Sequence, residues 1–415
     1  MRIIMKRRKQ VIVIGGGAAG MVAAIAARRL GAEVMILERN PRVGKKILAT
    51  GNGRCNFTNL NAGIDFYHGG NPKFVHSALA NFTAADTIDF FEKLGIAHKV
   101  EESGRVYPMS DQASSILDVL RYELNELGVT IICDAFVKDI TSVGRKFRIE
   151  VADGQVYQGD RVIMATGGKA MPASGSDGNG YELASRLGHK IVDIFPALVQ
   201  LMLEGSFFKS IEGVKFVGTA EILHRNKTVA TDRGDILFAN YGVSGPPILQ
   251  ISRIAGDLIN RGKEAQLRIT IVDTMSRDEL GNHLNQRFQN SPGKPIDFSL
   301  VGLINKRLIP VLLREAGIDD IRRPAASLSA REKQGIADIL TDWRFKIRGT
   351  RGWSSAQVTA GGVDTAEVDP NTMESKLVQG LFFAGELLDI DGQCGGFNLQ
   401  WAWSSGYIAG QNAAL

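Results

Sequence analysis

Residues 11–39, VIVIGGGAAGMVAAIAARRLGAEVMILER, constrain the fold more than any other stretch of this chain. Val11, Ile12, Val13 and Ile14 form a short β-branched run, which predicts a buried parallel strand. It leads directly into Gly15-x-Gly17-x-x-Gly20. An alanine-rich helical stretch follows, beginning at Ala18 and Ala19, then Gly31, then a second apolar strand over 34–37 closed by Glu38. Gly15 permits the tight turn, Gly17 lets backbone approach a pyrophosphate, and Gly20 lets the helix pack close to the sheet. The helix N-terminus offers N–H groups and positive partial charge to phosphates. Glu38, about 20 residues beyond the glycines, is placed to accept hydrogen bonds from both hydroxyls of an adenosine ribose. A lone GxGxxG says little; the strand, helix and acid around it make this a dinucleotide-binding β-α-β unit. Residues 11–27 do not suit a membrane anchor, because the span falls short of the ~20 residues needed and three glycines interrupt it.

A chain of 415 residues predicts two domains, and 44% hydrophobic with 22% charged residues is an ordinary globular composition. The basic start, MRIIMKRRKQ, is followed by the nucleotide-binding strand and not by a cleavable apolar region, so no secretory signal is expected; Met1 and Met5 both stand as candidate starts. Cys55, Cys133 and Cys394 include no CxxC pair, so neither a metal site nor a disulfide framework is expected, and a cytoplasmic location fits. The net charge of +5 permits an anionic partner without requiring one.

After Glu38, RNPRVGKKILATGNGRCNFTN reads as a loop, punctuated by Pro41, Gly44, Gly51 and Gly53. Its cations, Arg39, Arg42, Lys45, Lys46 and Arg54, predict a basic loop that neutralises phosphate charge. Cys55, between Arg54 and Asn56, is a candidate proton donor whose thiol pKa a neighbouring guanidinium would lower; it also suits a small buried residue. Residues 72–95 read as helix-rich. Ser110 or Asp111 is expected to cap a helix whose Ile116, Leu117, Leu120 and Leu124 share a face. The apolar stretch 129–140 predicts a strand near the adenine end, with Val137 in backbone contact. A hairpin turning at Asp153-Gly154 leads to a buried strand that ends in Thr166-Gly167-Gly168, where backbone can approach a ligand.

Residues 191–275 alternate short apolar runs with turns, which predicts a β-rich module, and 276–345 read as helical pieces. Three domain segments follow: 1–190 and 346–415 as the two parts of a nucleotide domain, and 191–345 as an insertion. From 251 to 351 there are 18 Lys/Arg and 12 Asp/Glu, an excess as large as the whole chain's net charge. Arg344, Lys346 and Arg348 alternate with Phe345 and Ile347. That pattern suits either a solvated strand face or an edge that meets a nucleic-acid backbone. Near the C-terminus, a strand ends in Gly385-Glu386, suited to polyol hydroxyls, and Asp391 follows. Gly395-Gly396-Phe397-Asn398 then opens an apolar helix beginning at Leu399, whose N–H groups could face an anion. These features suit an elongated ligand with adenosine at one end and a redox ring at the other.

The segments GGGAAGMVAA, GKKILATGNGRCNFTN, GRVYP, ATGGKAMPASGSDGNGYELA, GDILFANYGVSGPPILQISR, TAGGV, GLFFAGELLDIDG and GGFNLQWAWSSG together resemble the bacterial two-domain flavoproteins of the BaiN/RdsA-like type, over nearly the whole chain. The resemblance implies an α/β fold: a Rossmann-like FAD-binding domain built from both chain ends, with an inserted β-barrel and helical domain. It implies FAD as cofactor and reduction of a carbon–carbon double bond conjugated to a carbonyl. The substrate would be a uridine of 23S ribosomal RNA, giving dihydrouridine, or a small steroid-like enone. No second dinucleotide fingerprint is present, so NAD(P)H would have to dock transiently against the flavin as electron donor, or another reductant would serve. Cys55 and then Tyr107 are the proton-donor candidates. The N–H groups near Gly396 would stabilise charge on the reduced flavin. A non-enzymatic flavin-binding redox sensor, with Cys55 and Cys394 as its responsive pair, is the reading from a different class.

Overall fold

The structure is a computed structural model that describes residues 8–144 and 146–415. Most of the basic N-terminal run, with both candidate starts, lies outside the described residues. The chain divides into two compact units, one of residues 8–195 with 357–415 and one of 196–356. Among the described residues, no helix is long and apolar enough to cross a membrane, and no group of three His, Cys, Asp or Glu side chains is placed to hold a metal ion.

The first unit is organised by β1 (Gln10–Ile14), α1 (Ala18–Arg29) and β2 (Glu33–Leu37). β1 lies at the centre of a five-stranded parallel sheet, between β2 and strand Arg161–Met164; Thr130–Ile132 and Leu381–Phe383 form its edges. The C-terminal region therefore supplies a strand of the same sheet that the N-terminus starts. It also supplies helix Phe397–Ala414, which packs along α1. The sequence permits this approach because α1 presents Ala19 and Ala23 where the partner presents Gly406 and Gly410. A Cβ on either glycine would collide with the carbonyl of the facing alanine.

Two local expectations change here. The apolar stretch 129–140 forms two short strands, Thr130–Ile132 in the sheet and Val137–Val143 in a separate antiparallel three-stranded sheet. Helix Ala113–Glu126 is preceded by Gln112 with no side-chain cap. Ser110 and Asp111 do not cap it: Ser110 bonds Ser115, and the Asp111 carboxylate is taken by Arg54 and Lys99.

The second unit contains a closed antiparallel barrel. Its strands run in the order Leu201–Leu203, Gly242–Ser244, Lys227–Ala239, Lys215–His224, Gln266–Thr270 and Trp343–Thr350. Phe208, Phe238, Trp343 and Phe345 fill its core as a cluster of tilted rings. Helix Pro246–Asn260 and a group of helices between 277 and 341 complete the unit. Two of those helices start on capping boxes at Ser276 and Ser329. Strand Trp343–Thr350 alternates as its sequence suggests, with Arg344, Lys346 and Arg348 outward. It is not an edge, however, because it is hydrogen-bonded to strands on both sides. For the same reason the insertion runs on to 356: a boundary at 345 would cut this strand in two.

Candidate active site

Around the fingerprint, the glycines divide by what surrounds them. A Cβ at Gly15 would strike the Ala165 carbonyl, and one at Gly20 would strike the Gly15 carbonyl. Gly17 has nothing within 4 Å of where its Cβ would stand. The first and third glycines thus serve the fold, while the second faces open space. Gly17 is also the N-cap of α1, which has no side-chain cap, so Ala18 and Ala19 begin a helix whose first N–H groups no capping side chain engages. Open space and uncapped donors are what a pyrophosphate needs.

Glu38 is buried at the end of β2. Its Oε2 accepts from the Gly16 N–H at 2.8 Å, and its Oε1 accepts from the Asn40 backbone and side-chain nitrogens at 2.8 and 2.7 Å. A carboxylate offers about four lone-pair sites. Three are used, so one hydroxyl fits this geometry and the expected pair does not.

The basic loop is not the free cationic lining its composition suggests. Arg39 pairs with Asp177 at 2.5 Å and lies over the Phe136 ring. Lys46 Nζ is 2.6 Å from Glu386 Oε2, and Glu386 Oε1 accepts from the Thr359 N–H at 2.8 Å. The glycine-ended strand therefore offers a carboxylate already bound to a lysine. Arg54 pairs with Glu101 and Asp111, and Lys99 reaches Asp111 at 2.5 Å. These contacts hold both carboxyls below their usual range and raise the guanidinium further. Lys45 and Arg42 stay exposed. The partners come from distant parts of the chain, which the loop's own sequence cannot reveal.

The segment 47–56 carries unusual backbone. Gly51, Asn52, Gly53 and Cys55 all have positive φ, which is uncommon for asparagine and cysteine. Cys55 points into the core with no exposed surface. Burial pushes its thiol up to about 12, the reverse of the lowering expected from Arg54, with only a small opposing contribution from Thr50. Arg54 turns outward to its carboxylates instead. That removes the basis for a thiolate here, and with it half of the proposed Cys55–Cys394 redox pair. Asn56 follows, its Oδ1 buried without a partner among the described residues.

Tyr107 stands beside this loop. The Arg54 guanidinium sits 4.1 Å from its ring centroid. The ring is mostly buried, and burial raises the phenol pKa against the smaller opposing pull of Arg105 and Arg54. Among the described residues, its hydroxyl makes no hydrogen bond.

The two chain ends meet directly at the start of helix Phe397–Ala414. Asn59 Nδ2 donates to the Gly395 carbonyl at 2.8 Å, and the Tyr67 hydroxyl donates to the Phe397 carbonyl at 3.0 Å. Phe66 stacks on Phe397 at 4.4 Å, and Trp403 Nε1 donates to the Phe57 carbonyl. Gly396 is the N-cap, in the left-handed region, and a Cβ there would strike the Thr58 carbonyl. Asn398 folds back on Gly392 through two bonds of 2.8 and 2.7 Å, closing the turn that follows buried Asp391. No side chain caps this helix, so the N–H groups of its first turn, to Leu399, have no capping partner.

Thr166, Gly167 and Gly168 follow the sheet strand, as expected. Their close approach is to protein: Gly168 lies against Thr359 and Glu386, and its carbonyl accepts from Ser176 Oγ. Gly385 likewise packs against Ala19, whereas Gly53 faces open space. Val137 is buried opposite Val151 in its hairpin. Sequence reasoning missed Thr359, whose Oγ1 accepts from the Lys169 and Ala170 N–H groups at 2.7 and 2.9 Å and pins the start of that loop. A threonine in TAGGV gives no local sign of this.

The family described as "HI0933-like protein Rossmann domain" matches residues 9–412. The chain is 41% identical to the 3-dehydro-bile acid delta(4,6)-reductase of Clostridium scindens, over 95% of this chain and 96% of that protein. It is 33% identical to the ribosomal RNA dihydrouridine synthase of Escherichia coli, over 94% of each. A solved 3-ketosteroid-delta4-(5alpha)-dehydrogenase from Rhodococcus jostii aligns over 100% of this chain and 98% of its own, with 16% identity and a TM-score of 0.49.

Proposed function

This chain belongs to the HI0933-like family and is an FAD-dependent oxidoreductase, and we propose that it reduces a carbon–carbon double bond conjugated to a carbonyl. The support is chemical. A delta(4,6)-reductase and a dihydrouridine synthase share one operation, the addition of two hydrogens to an activated C=C, and both relatives span nearly the whole chain. FAD, when bound, supplies the hydride for the β-carbon of that bond.

The residues on hand fit this cofactor. Gly17 with the first N–H groups of α1 would hold the pyrophosphate, and the remaining lone pair of Glu38 would take a ribose hydroxyl. Val137 and the loop at Thr166 would border the nucleotide. Lys46 and Glu386, held together, would present a neutral pair to the linking polyol. The N–H groups at the start of helix Phe397–Ala414 would meet the electron-rich edge of the ring, where fixed donors stabilise developing negative charge.

Tyr107 is our proton donor for the α-carbon, ahead of Cys55. Its hydroxyl is free of protein partners among the described residues, and Arg54 over its ring favours the phenolate left after transfer. Cys55 packs the core beneath. The insertion, barrel and helical pieces together, is the substrate domain. NAD(P)H is the transient donor. A uracil ring of ribosomal RNA and a small enone present the same conjugated bond, so the chemistry is common to both.

The test is anaerobic reduction of purified holoenzyme by NADH or NADPH, followed by addition of an enone or a uridine-containing RNA. Reoxidation of the flavin with matching saturation of the C=C supports the proposal. A flavin that is reduced but reoxidised by neither acceptor would refute it. Tyr107→Phe should leave reduction by the nicotinamide intact and slow the second half-reaction by about 10²-fold or more.

A further inference from the structure

We propose that one end of the barrel is an RNA-docking face that grips phosphates without reading bases. This rests on the reductase reading with RNA as the substrate-bearing molecule. Hairpin Lys215–His224 and Lys227–Ala239 turns through Arg225 and Asn226, both at positive φ, as a two-residue hairpin turn requires. Three further segments converge on that turn. His224 Nδ1 lies 2.8 Å from the Glu264 carbonyl, which brings in Lys263. Gln266 pairs with both Leu223 and Lys346, and Arg344 donates to Asn226 Oδ1 at 3.3 Å.

The cations here fall into two sets. Arg268 is held by Glu221 through two bonds of 2.6 and 2.7 Å, and Arg344 by Asp342 through two of 2.7 and 2.8 Å. Their charge is locally cancelled. Arg225, Lys227, Lys263 and Lys346 are exposed and have no carboxylate partner among the described residues. Glu264 is the further acid beside the turn, while Glu204 and Glu315 line one cleft with Arg344 and Lys346, so the uncompensated cations are Arg225, Lys227 and Lys263 at the turn end. The geometry therefore leaves a surplus of mobile positive charge on a surface otherwise stiffened by fixed ion pairs.

The chemistry of the face selects its occupant. Val229, 46% exposed, is the large apolar side chain most open near the turn, too little for a lipid surface. No exposed aromatic ring stands among these cations in the described residues, so base stacking is not on offer. Lysines and an arginine on a β-turn and strand face suit phosphate oxygens, which position a nucleic acid without specifying its sequence. Each such contact releases counterions and steepens the salt dependence of binding.

The experiment is salt-dependent binding of the FAD-loaded enzyme to an unmodified transcript of a large-subunit ribosomal RNA domain and to an unrelated RNA duplex. Arg225→Gln/Lys227→Gln and Lys263→Gln are the variants. Flavin content and turnover of a small enone are followed in parallel and should not change. The expected result is wild-type binding to both RNAs, with the slope of log K against log salt reduced by about 1 for each cation removed. A double variant with full flavin and an unchanged slope would overturn the docking face. So would a wild-type enzyme that turns over enones but binds neither RNA; that outcome leaves the reductase reading standing.

Discussion

The seat between α1 and helix Phe397–Ala414 decides whether the two chain ends can build one nucleotide site, and it gives the sharpest prediction. Gly406→Ala would bring its Cβ to within 3.0 Å of the Ala19 carbonyl carbon, and Gly410→Ala to within 2.8 Å of the Ala23 one. Both approach backbone, which has no rotamer to escape into. An alanine gains about 0.8–1.0 kcal/mol of helix propensity over glycine. Overpacking of this kind costs about 1–3 kcal/mol, and a gap of about 0.5–1 Å opened along the seat would forfeit a quarter to a half of each dispersion contact. Over most of that range the clash outweighs the propensity, for a net loss of up to about 2 kcal/mol each. The double variant should lose less than the sum, because helices already pushed apart by one methyl accept the second more cheaply. Gly281→Ala is the matched control. It sits within helix Arg277–Asn290 with nothing within 4 Å, so propensity alone acts and stability should rise by about 1 kcal/mol. Thermal unfolding followed by circular dichroism and by flavin release is the assay, at about 2–4 °C per kcal/mol for a domain of this size. Gly406→Ala and Gly410→Ala proteins that melt at or above the wild-type temperature, with flavin retained, would refute the reasoning.

Three further outcomes are expected. In native protein, a thiol reagent should modify Cys133 and Cys394 and leave Cys55 untouched until unfolding, because the Cys55 thiol is buried and pushed up to about 12; rapid labelling of Cys55 would contradict its placement. His189 lies in the core, with Nε2 2.9 Å from Ser375 Oγ and Nδ1 3.2 Å from Glu367 but poorly aligned for a hydrogen bond, and burial holds its pKa below the ordinary 6.5 despite Glu367. The unfolded chain then takes up the proton first as pH falls, so this contribution is complete above about pH 6.5 and declines as pH drops from there toward the folded value; His189→Gln should flatten denaturation midpoints across that window. Arg54→Met removes a cation from the face of Tyr107, so the alkaline limb of kcat/KM should move to higher pH; a limb that stays in place would remove Tyr107 as the titrating acid.

The sequence carried the β-α-β unit almost completely, because each of its parts is local: a β-branched run, three glycines at fixed offsets and an acid. It carried the alternation of Arg344, Phe345, Lys346 and Ile347 for the same reason. What it could not carry was pairing across distance. Lys46 and Glu386 are 340 positions apart, and nothing near either announces the bond. Arg54 looked like a phosphate ligand and a thiol activator because Cys55 and the glycines are its neighbours in sequence; its carboxylate partners are Glu101 and Asp111. Cys55 could be read as reactive or buried from its neighbours alone, and only the fold shows it turned inward. Glycine was the most ambiguous letter. Gly17 and Gly168 look alike in sequence, yet one faces open space and the other abuts Thr359 and Glu386. Helix Phe397–Ala414 was visible, but its seat on α1 depends on Gly406 and Gly410 meeting Ala19 and Ala23, a match between opposite ends of the chain.

The central claim is that both termini jointly hold one FAD, and flavin stoichiometry in the purified protein tests it most directly. Wild-type protein should carry a flavin absorbance band corresponding to one FAD per chain, released on unfolding. Gly17→Val, which fills the open space at the fingerprint, should fold but lose that band. Wild-type protein that is colourless, and stays so after incubation with excess FAD, would contradict the account.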